Sequence, residues 1–149
     1  MNKKKLQEEL KQSMLAKNEL RTSVLRLLLS AINYYEIQKG GAGYVATDED
    51  VLSVIQKEAK QRRDSIAEFE KAGRQDLVDK EQKELKILQT FLPEQMSEDE
   101  VRSIVEQTIS ETNANSIQDM GKVMGALTGK LKGKADMSLV SNLVRQKLS

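Results

Sequence analysis

The chain has 149 residues, of which 38% are hydrophobic, 32% charged and 3% aromatic, with a net charge of +1. These values fit a soluble helical protein of one domain or two small ones, with an aliphatic core, and they exclude a polycation held to nucleic acid by bulk charge. Cysteine and histidine are both absent, which excludes disulfides, thiolate catalysis, sulfur-ligated zinc and the usual general base.

Apolar residues repeat with a 3.6-residue period through residues 1–92, which is typical of amphipathic helices. The predicted apolar faces contain Leu6, Leu10, Met14 and Leu15 in the first helix and Leu20, Val24, Leu27, Leu28, Ala31 and Tyr35 in the second. Thr47 and Asp50 have the spacing of a capping box, which predicts the start of a long helix that stops at Gly73. With the helix that follows, it predicts an antiparallel hairpin turned at Gly73. Four helices are predicted in this part, over about 6–17, 19–38, 47–72 and 75–91.

Pro93, the only proline of the chain, marks the predicted boundary between two domains, 1–93 and 97–149. Ser97 and Glu100 form a second capping-box pattern that opens the next helix. A basic helix and a last helix over about 136–148 follow, and no segment alternates as a strand does. We therefore predict an all-α protein, with a helical N-terminal domain that contains a long hairpin and a small three-helix C-terminal domain.

The most informative stretch is MGKVMGALTGKLKGK at 120–134, in which every fourth residue from 121 to 133 is glycine. Residues 119–149 contain six basic and two acidic residues, whereas residues 93–118 contain one basic and six acidic residues. The spacing is wrong for a phosphate-binding loop, since Leu131 stands where Ser or Thr is needed and no strand precedes it. Four lysines exclude the small-residue seam of a membrane helix.

A helical wheel places Val123, Met124, Leu127 and Leu131 within roughly 60° of Met120, whereas the glycines lie on the flank and back. One interpretation is structural: the helix ends at a glycine, or the N-terminal domain packs closely over the glycine face. The other is functional: a face without side chains, beside lysines, lets a sugar–phosphate backbone approach closely. Residue types alone leave both open.

The segment DMGKVMGALTGKLKGKADMSLVSNLVRQKL at 119–148 resembles the C-terminal tail of the GatB subunit of the Asp/Glu-tRNA amidotransferase. The whole chain resembles the free-standing relatives of that tail, the YqeY (GatB/YqeY) family, through VLRLLLSAI at 24–32 and KQRRDSIAEFEKAGRQDLVDKEQKELKILQTFLP at 60–93 as well. Met137 departs from the pattern, which favours a small residue there. The resemblance implies a helical domain followed by a three-helix domain.

In the amidotransferase the tail helps to hold tRNA while the chemistry occurs elsewhere, and the parts that perform that chemistry have no counterpart here. The resemblance therefore implies an RNA-contacting surface and no catalytic residue. The residues that it implies are Gly121, Lys122, Gly125, Lys130, Lys132, Gly133 and Lys134.

Two further groups of charged residues stand out. One group of basic residues could form a second basic patch for RNA or a protein partner: Lys60, Arg62, Arg63 and Arg74. However, i,i+4 pairs such as Arg62 with Glu58 favour the alternative of a solvated, salt-bridged helix face. The carboxylates between 76 and 84 alternate with lysines, so we interpret them as a surface face and predict no metal site and no cofactor. Tyr35, of the tyrosines around GGAG, follows the core period and is predicted to pack inside.

The leading hypothesis is a non-catalytic protein that binds tRNA or assists a tRNA amidotransferase. The alternative is a protein-interaction adaptor whose hairpin at 47–92 binds a partner. A weaker alternative is a carbon–nitrogen ligase that takes its amide nitrogen from glutamine. MNKKKLQEEL at the N-terminus lacks the apolar segment of a secretory signal, and no run is long enough to span a membrane, so we expect a cytoplasmic protein without a membrane anchor. The oligomeric state is not predicted.

Overall fold

The computed structural model describes all of residues 1–149, which form seven α-helices and no strand, so the predicted all-α class is confirmed. A 3-10 turn, Ile117–Asp119, precedes the sixth helix. None of the helices combines the length and the apolar character of a membrane span. The helices are α1 Lys3–Leu15, α2 Glu19–Gly40, α3 Asp48–Lys71, α4 Gln75–Gln89, α5 Glu98–Glu111, α6 Met120–Leu131 and α7 Met137–Leu148.

The chain forms two compact units, Met1–Leu92 with α1–α4 and Pro93–Ser149 with α5–α7. Each unit has its own aliphatic core, as the low aromatic content requires. The core of the first unit contains Leu6, Val24, Leu25, Leu28, Ile32, Val51, Val54, Ile55, Leu88 and Phe91. The core of the second contains Val101, Val105, Val123, Leu127, Leu131, Ala135, Val140, Leu143, Val144 and Leu148. That the predicted domains fold independently stays a prediction.

The capping boxes predicted from sequence are present at both helix starts. The Thr47 side chain accepts from the Asp50 amide while the Asp50 carboxylate accepts from the Thr47 amide, and Ser97 and Glu100 pair in the same way. Gly73, between α3 and α4, has a φ of +69°, which glycine adopts without strain. The turn of the hairpin is therefore where the sequence places it.

The faces of α1 and α2 differ from the prediction. Met14 and Leu15 in α1 are 50% and 70% exposed, and Leu27 in α2 is 53% exposed, although their spacing assigns them to the apolar stripe. The neighbouring residue Ser13 is buried instead of Met14, and the Ser13 hydroxyl oxygen lies 2.8 Å from that of Thr22. Because α1 packs mainly against α2, it can bury only a narrow arc.

Two buried carboxylates hold the loop between α2 and α3. Glu36, which is 7% exposed, accepts from Lys3 Nζ at 2.6 Å and from the Ala46 amide at 2.7 Å. These two bonds, that from Lys3 first, lower the pKa of Glu36 below its usual range. The bonds tie the start of α1 and the end of the loop to the C-terminal part of α2.

The second carboxylate, Asp50, is 6% exposed and accepts from side chains of both α2 and the loop. Its oxygens accept from the hydroxyls of Tyr35 and Tyr44, and Lys39 Nζ lies 2.9 Å away. The hydrogen bond from Tyr44, followed by those from the Thr47 amide and Lys39, lowers the pKa of Asp50 far below its usual range. Lys39 lies 5.5 and 5.4 Å from the centres of the Tyr35 and Tyr44 rings, so cation–π attraction adds to the ion pair.

Asp50→Asn is expected to lower the free energy of unfolding at pH 7 more than Asp48→Asn, an exposed change in the same helical turn. A carboxylate whose folded-state pKa is depressed stabilises the protein above its unfolded pKa, about 4, and this contribution is lost as the pH falls below that value. The gap between wild type and Asp50→Asn should therefore narrow in urea titrations near pH 3. A stabilising role for the Asp50 carboxylate would be contradicted if the two variants lowered the free energy of unfolding equally. It would also be contradicted if the difference between wild type and Asp50→Asn did not change with pH.

Candidate nucleic-acid interface

The candidate surface lies on α6, which the second unit holds in place by its apolar stripe. Val123, Leu127 and Leu131 are fully buried, and α6 packs against both α5 and α7. Glycine in a helix interior costs about 1 kcal/mol relative to alanine, so the intrinsic helix propensity of α6 is low. The burial of this stripe is therefore what keeps the segment helical.

Three of the glycines form one continuous exposed flank, as the helical wheel predicts. Gly121, Gly125 and Gly129 are exposed, and a Cβ atom built on any of them would meet no heavy atom within 4 Å. Close packing inside the second unit therefore does not explain these glycines. Gly129 is missing from the residues that the resemblance implies, although the four-residue spacing alone finds it. We call Gly121, Gly125 and Gly129 the glycine flank.

Gly133 has a different role, because it lies just beyond the end of α6. It is buried and has a φ of +82°, and its carbonyl oxygen accepts from Gln95 Nε2 at 2.7 Å. This is the helix-terminating glycine of the structural interpretation. The structure thus separates Gly133 from the glycine flank, because the chain leaves the helix before reaching it.

The lysines of the segment are also divided by the structure. Lys122 is exposed beside the glycine flank, whereas Lys130 reaches back to α5, with Nζ 3.0 Å from Glu111 Oε2 and 3.2 Å from Thr108 Oγ1. The bond from Lys130 is the main cause that lowers the pKa of Glu111. Lys132 is half-buried, and Lys134 is exposed past the end of the helix. Lys122 and Lys130 each follow a glycine of the flank in sequence. Lys130 is held by Glu111, so Lys122 is the one whose ammonium group is available in solvent.

The four residues of the predicted second patch are not one open surface. Arg62, with 18% of its side chain exposed, lies across the hairpin, with Nη1 3.0 Å from Glu81 and 2.6 Å from Glu84. Its expected pairing with Glu58 is therefore wrong, because the carboxylates of α4 offer a more buried partner. Glu84 itself is buried, which contradicts its assignment to a surface face.

Arg74 is also engaged, through two bonds of 3.2 Å to Asp76 at the start of α4. The arginine lowers the pKa of the Asp76 carboxyl. Lys60 is exposed and Arg63 is half-buried, both on α3. Two of the four cations are thus held by carboxylates of α4, and the second patch stays a prediction.

Substitution of the two kinds of glycine is expected to change stability in opposite directions. Gly125→Ala should raise the free energy of unfolding by about 1 kcal/mol, because the new methyl group enters open space in a helix interior. Gly133→Ala should lower it by about 1–2 kcal/mol, because a side chain is strained at positive φ. Urea titrations of the full chain measure both. Destabilisation by Gly125→Ala would show that the flank is packed in solution.

Comparison with known proteins gives matches over nearly the whole chain. The family model described as "Yqey-like protein" matches residues 3–148. A relative from Kluyveromyces lactis, "Altered inheritance of mitochondria protein 41, mitochondrial", is 42% identical over 85% of this chain and 72% of its own length. Relatives of the same name from Pyrenophora tritici-repentis and Lachancea thermotolerans are each 32% identical over 95% of this chain and 78% of their own lengths.

These names contradict the predicted cytoplasmic location, because the relatives are named as mitochondrial proteins. The prediction used the lack of a long apolar segment near the N-terminus. That observation bears on secretory signals and membrane spans, whereas mitochondrial transit peptides are amphipathic and rich in arginine and serine. The lack of an apolar segment therefore does not exclude a mitochondrial protein.

Proposed function

Since the chain belongs to the Yqey-like protein family, we propose that it is a non-catalytic accessory protein that binds tRNA through α6. The family and the mitochondrial relatives support an accessory protein in general. The finer step to tRNA rests on the glycine flank and on the resemblance of residues 119–148 to the amidotransferase tail. The absence of histidine and cysteine supports a role in binding rather than in acid–base or thiol chemistry.

The observation that carries the proposal is the open space over Gly121, Gly125 and Gly129. Folding alone would favour alanine at each of these exposed helical positions, by about 1 kcal/mol. Three such positions at a spacing of four keep one side of the helix bare for two turns. A sugar–phosphate backbone can therefore come close to the peptide groups of α6 without meeting a side chain.

The segment that contains this flank carries charge of the sign that RNA requires. Residues 119–149 contain six basic and two acidic residues, and Lys122 is exposed between the first two glycines of the flank. Lys130 contributes less at rest, because its ammonium group is shared with Glu111. Phosphate would have to compete with that carboxylate, so we assign Lys122 the larger share of the electrostatic attraction.

The proposal is tested by titrating labelled tRNA with the full chain at several salt concentrations. A surface that neutralises about four phosphates gives a log–log salt slope of roughly −3 to −4. Changing Lys122, Lys130, Lys132 and Lys134 to glutamate should weaken binding by about 100-fold or more and flatten the slope. The matched control changes four exposed lysines of the first unit, Lys57, Lys80, Lys83 and Lys86, to glutamate.

An equal loss in the control would assign the effect to overall charge rather than to α6. No saturable binding of the wild-type chain at low salt would contradict the proposal and favour the alternative of a protein-interaction adaptor built on the hairpin. Lys122→Glu alone is expected to reduce the salt slope by about 1, as for any single phosphate contact.

The glycine flank provides a second test, in which stability is expected to rise while affinity for tRNA falls. The triple variant with alanine at Gly121, Gly125 and Gly129 should unfold at higher urea than the wild type, because each substitution favours the helix. Its affinity for tRNA should nevertheless fall by about 10-fold or more, since three methyl groups stand where the backbone of the RNA approaches. Affinity equal to that of the wild type would contradict a role for the bare face.

A further inference from the structure

Two ion pairs join α5 to the helices that pack against it, and their geometry is closely matched. Lys130 of α6 lies 3.0 Å from Glu111, with 42% and 53% of the two side chains exposed. Lys147 of α7 lies 2.8 Å from Glu106, with 46% and 52% exposed. In each pair the lysine is the main cause that lowers the pKa of the carboxyl group. The first pair contains a residue of the predicted RNA surface, and the second does not.

The Glu111 carboxylate is held in place by a second donor besides Lys130. Gln107, one turn earlier in α5, donates from Nε2 to Glu111 Oε1 at 3.0 Å, while Lys130 Nζ lies 3.0 Å from Oε2. Both carboxylate oxygens therefore accept a hydrogen bond. The carboxylate is thus positioned beside the ammonium group of Lys130 rather than turned into solvent.

The stability of α5 gives little reason for an acidic residue at this position. Glu111 is the last residue of α5, where the partial negative charge of the helix end disfavours a carboxylate. An ion pair whose side chains are about half exposed contributes little to stability. The placement of Glu111 therefore calls for an explanation other than the stability of its own helix.

Lys130 has most of its hydrogen-bonding capacity in use. Its ammonium group has three N–H bonds, and two of them are directed to Glu111 Oε2 and to the hydroxyl oxygen of buried Thr108. Carboxylate and phosphate oxygens are both anionic acceptors for an ammonium group. The Glu111 carboxylate therefore occupies a place beside Lys130 that a phosphate oxygen of RNA would otherwise take.

We propose that Glu111 is an internal competitor of phosphate, which occupies Lys130 and thereby limits the affinity of the α6 surface for RNA. This inference rests on the proposed function of that surface. When phosphate binds, Lys130 exchanges one anionic partner for another, so it adds less to the affinity than a free lysine would. The displaced carboxylate also remains near the bound phosphate and repels it. Neutralising Glu111 should therefore strengthen binding.

The test is tRNA binding by Glu111→Gln, with Glu106→Gln as the matched control. Both variants remove one negative charge from α5 and release one lysine from a pair of similar length and exposure. Glu111→Gln should bind labelled tRNA about five-fold more tightly than wild type at low salt, with a log–log salt slope steeper by about 1. Glu106→Gln should change both values much less. Urea titrations should show that both variants keep nearly the stability of the wild type.

A double-mutant cycle with Lys130→Gln shows whether the gain in affinity depends on the lysine. If Glu111 occupies Lys130, then Lys130→Gln should cost more affinity in the Glu111→Gln background than in the wild-type chain. The double variant should accordingly lose most of the gain. A gain that survives Lys130→Gln in full would assign the effect to net charge and overturn the proposal.

The outcomes distinguish this inference from the proposed function on which it rests. If the wild-type chain binds tRNA and Glu111→Gln gains no more affinity than Glu106→Gln, the role of Glu111 is overturned while RNA binding by α6 stands. If neither the wild-type chain nor Glu111→Gln binds tRNA saturably at low salt, both are overturned.

Discussion

The first unit depends on the burial of two negative charges, Glu36 and Asp50, beneath one loop. A carboxylate loses most of its hydration when it is buried, so it must be surrounded by donors or remain neutral. Here the donors come from α1, from α2 and from the loop backbone, and together they replace the water that the two carboxylates lose. The loop conformation therefore follows from the requirement to solvate these two groups.

That requirement also determines which side of α2 remains available. Glu36 accepts from Lys3 and Ala46, and Asp50 accepts from Tyr35, so these bonds hold the loop and the start of α1 on one side of the helix. The opposite side carries Leu27, Tyr34 and Ile37 in solvent. This helix of 22 residues thus packs against its own chain on one side and exposes three large apolar side chains among polar residues on the other.

Sequence periodicity located the helices well because the signals at their ends are local. Thr47 with Asp50, Ser97 with Glu100 and Gly73 each act within a few residues, and the structure contains the capping boxes and the turn that they predict. Periodicity also separated the glycine flank from the buried stripe of α6. These features required no knowledge of what packs against what.

The errors arose where partners are distant in sequence. Arg62 could pair with Glu58 on its own helix, and only the hairpin geometry brings Glu81 and Glu84 close enough to compete. The apolar spacing of Met14 and Leu27 shows that they share faces with core residues, but it does not show how wide an arc the neighbouring helix covers. Gly133 continues the four-residue spacing, but α6 ends before it, and Gly133 terminates the helix with a positive φ.

The composition of α6 has a kinetic consequence. Its glycines disfavour helix in the unfolded chain, so the segment from Met120 to Leu131 has little tendency to form alone. Val123, Leu127 and Leu131 stabilise the helix only when they pack against α5 and α7. We therefore expect helix formation in this segment to come late in folding, and its amide protons to exchange with solvent sooner than those of α5 and α7. The helix that carries the glycine flank is thus also the helix that depends most on packing against its neighbours to stay folded.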